Sequence, residues 1–201
     1  PQPFQLGLPA LDAFPRKTWV RLAGRRLRGM GDADMDYQAL GGYLPLRRAI
    51  AAYLSVSRGI ACVPEQVFVT AGYQAGLNLI RHAVLSSGDK GWLEDPGYPY
   101  ARQFLELAGM RLVPVPVDEE GLRVDVGRRL SRNARFAVVT PTHQSPLGVA
   151  LSLPRRLALL EWAYENQSWI IEDDYDSEFR YQGRPLPPLK TLDRYGRVVY
   201  A

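Results

Sequence analysis

Short apolar runs recur along this chain, separated by polar stretches rich in glycine and proline: Val67-Phe68-Val69, Trp92-Leu93, Leu112-Val113-Pro114-Val115, Phe136-Ala137-Val138-Val139, Trp169-Ile170-Ile171 and Val198-Val199-Tyr200. Each run is too short for a buried helix and most are rich in β-branched or aromatic residues, so each is expected to form a strand. Between them, apolar residues fall at helical spacing near 73–86, 98–108, 125–131 and 154–166. Two more helices are expected before the first run, at 16–28 and at 44–57, with Leu46, Ile50, Tyr53 and Leu54 along one face of the second. Residues 1–15 read as an extended arm. Alternating strands and helices predict an α/β fold, a three-layer sandwich around a mostly parallel sheet covered on both faces.

In such sheets ligands bind beyond the carboxyl ends of the strands, so the residues that follow each run are where chemistry is sought. Thr70-Ala71-Gly72-Tyr73-Gln74-Ala75-Gly76 leads from the first run straight into a helix, whose free N–H groups and partial positive charge suit a phosphate. A tight turn between strand and helix would need the same small residues. The segment is neither a Walker loop nor a G-x-G-x-x-G fingerprint. After Trp92-Leu93, the turn Glu94-Asp95-Pro96-Gly97-Tyr98-Pro99-Tyr100 projects Tyr98, a ring able to stack on a planar ligand or simply to cover the edge of the core. Two prolines and a glycine shape Thr140-Pro141-Thr142-His143-Gln144-Ser145-Pro146-Leu147-Gly148 into a polar loop. Most telling is Ile170-Ile171-Glu172-Asp173-Asp174-Tyr175-Asp176-Ser177-Glu178-Phe179, where a buried strand surfaces into Glu172 and four further carboxylates with a tyrosine among them. That pattern fits either a solvated acidic loop or a site that holds a cation beside a phenol.

Composition narrows these readings. No apolar run approaches the roughly 20 residues that span a bilayer. The beginning, Pro1-Gln2-Pro3-Phe4-Gln5, lacks the regions of a signal peptide, so a cytoplasmic protein is expected. Cys62 is the single cysteine, which excludes an internal disulfide. With only His82 and His143 as histidines, no Cys/His spacing supports a metal site. The net charge of +4 comes almost wholly from arginine, because only Lys17, Lys90 and Lys190 are lysines. Arginines gather at 16–28 and 123–135, but Trp19, Leu22 and Leu27 between those of the first cluster describe an amphipathic helix, and no nucleic-acid motif accompanies them.

In their order and spacing the strand ends resemble fold-type I pyridoxal-phosphate (PLP) aminotransferases, and among them the aminotransferase-like domain of MocR-type bacterial regulators of the GntR superfamily. The resemblance runs from Gly7-Leu8-Pro9 and Phe14-Pro15 to the last strand. Its most specific parts are Glu94 to Pro99, Thr140-Pro141-Thr142-His143-Gln144 with Pro146 and Gly148, and Glu172 to Tyr181. It implies an aspartate-aminotransferase-like large domain, present in part. Residues 1–30 would be its arm and first helix, and 31–201 the N-terminal part of the PLP-binding domain.

The resemblance also implies roles. Asp173 would pair with the protonated pyridine nitrogen and Tyr175 would hydrogen-bond the phenolic oxygen of PLP. Tyr98 would stack on the ring, Gly72, Tyr73 and Gln74 would contact the phosphate, and His143 belongs to the variant loop that replaces the usual Asn-Pro-x-Gly. Tyr37, in Asp36-Tyr37-Gln38-Ala39-Leu40-Gly41-Gly42, matches a tyrosine that reaches the phosphate of a neighbouring subunit, which implies a homodimer with shared sites. Arg102 is a weaker candidate, by proximity to Tyr98, for a substrate carboxylate. The Schiff-base lysine would follow Arg197-Val198-Val199-Tyr200-Ala201 by a few residues, so no catalytic residue is expected within the chain. On this reading the chain is part of a longer protein with a small C-terminal domain and an upstream winged helix, through which alone it would meet DNA. The implied function is an effector domain that senses an amine or amino acid by exchange between internal and external aldimines. The alternative is a true aminotransferase acting on an amino acid and a 2-oxo acid.

Overall fold

The computed structural model describes residues 9–179 and 186–201. Gly7 and Leu8 at one end of the motif set, and Arg180 and Tyr181 at the end of the acidic motif, lie outside the described residues. The chain divides into two units, with the boundary between Leu40 and Gly41.

The first unit contains α1 (Arg16–Arg28) and α2 (Asp32–Met35). Pro15 precedes α1, and Gly29 ends it. The Asp34 carboxylate accepts the Gly31 N–H at 3.0 Å, closing the start of α2. Neither helix has a buried residue, and Trp19, Leu22 and Leu27 remain half or more exposed.

The second unit runs α3 (Leu44–Arg58), α4 (Tyr73–Val84), β1 (Lys90–Asp95), α5 (Pro99–Leu107), β2 (Arg111–Asp118), β3 (Gly121–Leu122), α6 (Val124–Ser131), β4 (Phe136–Val139), α7 (Leu153–Glu165), β5 (Trp169–Glu172) and β6 (Val198–Tyr200). The strands form one sheet in the order β3-β2-β1-β4-β5-β6. All pairings are parallel except that of β2 with the short β3, a hairpin that the sequence pattern did not announce. Alternate residues of the strands feed two separate cores, as the period of two requires. Trp92, Val115, Ala137, Ile170 and Val198 pack with Leu159 and Trp162 of α7. Leu93, Phe136, Val138 and Ile171 pack with Leu77 of α4 and Leu105 of α5. Helices thus cover both faces, which is the expected three-layer α/β sandwich.

Two expectations are corrected. Val67-Phe68-Val69 is not a strand. Its backbone starts extended, with Val67 at φ −99° and ψ 123°, but it follows a 3-10 turn at Pro64–Gln66 and pairs with no ladder. Its hydrogen bonds go instead to Gly41 O, from Val69 N at 2.9 Å, and from Arg47 Nε to Val67 O at 2.9 Å. A strand needs a neighbour as well as a propensity, and β6 at that end of the sheet pairs only with β5. The inward side of α3 also differs. Leu46 and Tyr53 stand 44% and 49% exposed, whereas Arg47, Ala51 and Arg58 are buried. Two arginines take the inner positions because polar partners wait there: two backbone carbonyls for Arg47, and an aspartate for Arg58.

Candidate functional site

At the carboxyl ends of β5 and β6, a cavity of about 460 Å³ opens towards the start of α4, within the usual size of a small-molecule pocket. Gly72, Tyr73, Asp173, Tyr175, Val199 and Tyr200 are among its lining residues. Among the described residues the lining contains no lysine. Lys190 donates instead to Val198 O at 2.8 Å and to Asp193 at 3.0 Å.

The end of the cavity at α4 is built by the backbone. Gly72 caps α4 at φ 96°, a left-handed conformation that favours glycine, and nothing lies within 4 Å of the position a Cβ would take. The first intrahelical bond is donated by Gly76 N to Gly72 O, so the N–H groups of the opening turn have no partner within the helix. Tyr73 and Gly72 line the cavity, and Gln74 sits beside them as an exposed residue of the first turn. The Tyr73 hydroxyl is buried without a well-formed hydrogen bond and lies beside Asp173. Burial, and then the negative charge of Asp173, push its phenol far above the usual range.

Asp173 is held at the end of β5 by its backbone N–H, which donates to Val139 O at 2.9 Å. Burial pushes its carboxyl up to about 6, against the pull of Tyr73 and with the charge of Asp174 adding to the rise. Among the described residues no cation pairs with Asp173, and one placed beside it would stabilise the carboxylate. The Tyr175 phenol is also raised, chiefly by burial, and its ring meets His143 edge-on at 5.6 Å. Tyr98 packs edge-on against Tyr73 at 6.1 Å and Tyr100 at 5.5 Å, which brings it beside the cavity wall. Its turn is tight: a Cβ on Gly97 would come within 2.3 Å of Glu94 O. Arg102 lies one helical turn on and donates to Asp95 at 3.2 Å in a partly exposed pair. Tyr37 belongs to the first unit, where its side chain is fully exposed.

Sequence reasoning missed two buried clusters behind these residues. Glu94 accepts hydrogen bonds from Thr140 Oγ1 at 2.6 Å, Thr140 N at 3.3 Å and Gln144 Nε2 at 3.2 Å. Gln144 also donates to Pro96 O at 2.8 Å, so it ties the loop of His143 to the turn of Tyr98. Asp174 is enclosed by Arg58, Tyr200, Thr142 and Ser177. The carboxylates of both clusters, Glu94 and Asp174, fall inside motifs that the sequence singled out, but residue type alone does not tell an inward carboxylate from an outward one.

The acidic groups make a pH prediction. Burial raises Asp173 to about 6 and both Glu94 and Glu172 to about 7. Each binds its proton more tightly folded than unfolded, so between the ordinary carboxylate range and about 7 the folded state carries more protons and loses stability as pH rises. Asp193, held low by the backbone N–H groups of Arg197 and Val198, loses its contribution only below that range. The urea midpoint of the cofactor-free protein is expected to fall between pH 4.5 and 7.5. A flat or rising midpoint would mean that these carboxyls have counter-charges.

The residues fit PLP on their own chemistry. A carboxylate with no cation and helix-start N–H groups with no partner among the described residues, together with a set of tyrosine rings, suit a protonated heterocycle that carries a phosphate. Known proteins agree in kind. The chain is 43% identical over 197 residues to the probable rhizopine catabolism regulatory protein MocR of Rhizobium meliloti, covering 98% of this chain and 40% of that protein. To the uncharacterized HTH-type transcriptional regulator YdeL of Bacillus subtilis it is 46% identical over 197 residues, covering 98% and 42%. The chain therefore spans about two fifths of the length of these relatives. Among solved structures, LysN of Thermus thermophilus, an α-aminoadipate aminotransferase complexed with N-(5'-phosphopyridoxyl)-L-leucine, superposes with a TM-score of 0.84 at 34% identity, over 96% of this chain and 50% of that one. The model of aminotransferase class I and II matches from residue 10 to residue 198, through both units as far as the first residue of β6, and to that family this chain belongs.

Proposed function

We propose that this chain is part of the PLP-binding effector domain of a MocR-type transcription regulator. The observation that carries the reading is Asp173, a carboxylate raised by burial and facing a cavity whose other end is the open start of α4. When bound, PLP supplies a carbonyl that condenses reversibly with amines and a ring that draws electrons from them. The chain's own residues would supply part of the surroundings of that chemistry. Asp173 would hold the proton on the ring nitrogen, Tyr175 would donate to the phenolic oxygen and Tyr98 would stack on the ring. Gly72, Tyr73 and Gln74 receive the phosphate, and His143 buttresses Tyr175 from the side.

The likeness to two regulators supports sensing over turnover, with an amine or amino acid as effector and DNA contacted through a separate domain. The intact protein is expected to bind PLP near one per chain, and amines that exchange on it to alter affinity for its operator. Absence of PLP binding would overturn the reading. The likeness to an aminotransferase supports a second reading, and sustained consumption of an amino acid with a 2-oxo acid would decide for it.

Homodimerisation with shared sites is part of the proposal and rests on Tyr37, whose side chain is fully exposed on its own chain. Tyr37→Phe removes one hydrogen bond to a charged group, about 1.5–3 kcal/mol, in the partner's site. Asp173→Ala damages the site of its own chain. Mixed subunits of the two variants are expected to regain one intact site per heterodimer, read as recovered PLP binding. Subunit exchange without recovery would place Tyr37 in its own chain's site.

A further inference from the structure

Four acidic residues follow the end of β5, and Asp174 differs from the others. Its side chain is fully enclosed. Four side chains donate to its carboxylate: Arg58 Nη2, Tyr200 Oη, Thr142 Oγ1 at 2.5 Å and Ser177 Oγ at 3.1 Å. They come from the end of α3, from β6, from the loop after β4 and from the turn after β5, so parts of the chain distant in sequence converge on one carboxylate. Arg58 Nε also donates to Tyr200 Oη at 3.4 Å, which closes the cluster. The Asp174 backbone N–H donates to Ala201 O at 3.0 Å. Side chain and peptide are thus both fixed, and Asp174 lines the cavity between Asp173 and Tyr175 with its carboxylate turned into its four donors.

We infer that Asp174 is a positioning residue of the cofactor site: Arg58, Tyr200, Thr142 and Ser177 hold its carboxylate, and through its two peptide bonds it sets the directions of Asp173 and Tyr175. A buried ion pair is a poor source of stability compared with packed apolar side chains, and its advantage is direction. Two residues that would meet different atoms of one planar ligand need that direction, because a small rotation of the backbone between them moves both. The inference rests on the reading of the cavity as a PLP site.

Electrostatics and geometry make opposite predictions here, which permits a clean test. The charge of Asp174 is one of the causes that raise Asp173. If charge alone mattered, Asp174→Asn would make Asp173 more acidic and bind a protonated ring at least as well. If position matters, the same change weakens binding. In the intact protein, PLP titrations followed by absorption are expected to give a Kd at least tenfold weaker for Asp174→Asn, with the band of the bound cofactor displaced. Tyr200→Phe and Thr142→Val, which leave the ion pair in place, are expected to weaken binding about threefold each, and they carry the test if Asp174→Asn does not fold. Urea midpoints measured without PLP separate folding from positioning. A lowered midpoint with Kd within twofold of the wild type and an unmoved band in the folded variants would make Asp174 a brace only and overturn the proposal. Wild-type protein that takes up no PLP would instead overturn the reading beneath it.

Discussion

Asp173→Ala is expected to weaken PLP binding to the intact protein by a hundredfold or more, whereas Asp176→Gly changes it less than threefold. The two carboxylates stand three residues apart in the same acidic run, and their surroundings separate them. Asp173 lines the cavity, and burial has already raised its carboxyl to about 6, so the site gains from a cation beside it. Removing it leaves a protonated ring nitrogen buried without its partner, which costs about 3–5 kcal/mol, or roughly 100- to 5,000-fold in Kd. Asp176 is exposed and sits at φ 53°. Glycine is the replacement of choice there, since alanine would add the strain of a left-handed backbone to any effect of lost charge. Titrating each variant with PLP, and following cofactor absorption, gives both numbers. Equal and small effects at the two positions would return the acidic run to a solvated loop and remove the main support for the proposed function.

The contrast between these two aspartates also marks how far the sequence could be read. Strands of a covered sheet announce themselves as short apolar runs, so β1, β2, β4, β5 and β6 were legible, and with them the strand ends at Tyr98, His143 and Asp173. Val67-Phe68-Val69 has the same composition and yet makes no ladder, because pairing depends on a neighbour that local sequence does not describe. The inner face of α3 was misread for a related reason. Periodicity favours Leu46 and Tyr53, but Arg47 and Arg58 take buried places because Pro64 O, Val67 O and Asp174 are there to receive them. Arg58 and Asp174 lie 116 residues apart, beyond any motif. Asp174 itself was visible only as one acid among four. Its enclosure is a property of Thr142, Ser177, Tyr200 and Arg58 together, and no single stretch contains them.

Arg156 is the other buried cation on which the site depends, and its replacement is expected to have the largest effect on folding. From the second turn of α7 its guanidinium reaches three separate segments: Nε donates to Leu151 O at 2.8 Å, Nη2 to Pro141 O at 2.7 Å and Nη1 to Pro187 O at 2.6 Å. Pro141 opens the loop that carries Thr142, His143 and Gln144, so this one side chain fastens that loop to the helix behind it. The side chain has little contact with water, and burial lowers its pKa while the nearby Glu172 opposes the shift. Arg156→Met keeps an apolar stem of similar length but, among the described residues, strands the Leu151 and Pro187 carbonyls without a donor, while Pro141 O keeps the Leu151 N–H at 2.9 Å. At about 1–3 kcal/mol for each unsatisfied buried group, reduced by whatever water enters, the loss comes to about 3–5 kcal/mol. For a domain of this size that lowers Tm by roughly 6–20 °C. Arg156→Lys keeps the charge but has no planar fork, and one ammonium at the end of a narrow stem cannot span three diverging carbonyls, so it is expected to recover less than half of the loss. Urea unfolding reads both variants, with an unchanged m-value confirming that stability alone has moved. If Arg156→Lys matched the wild type, the requirement would be for positive charge near Glu172, and the three-way brace would carry little of the energy assigned to it.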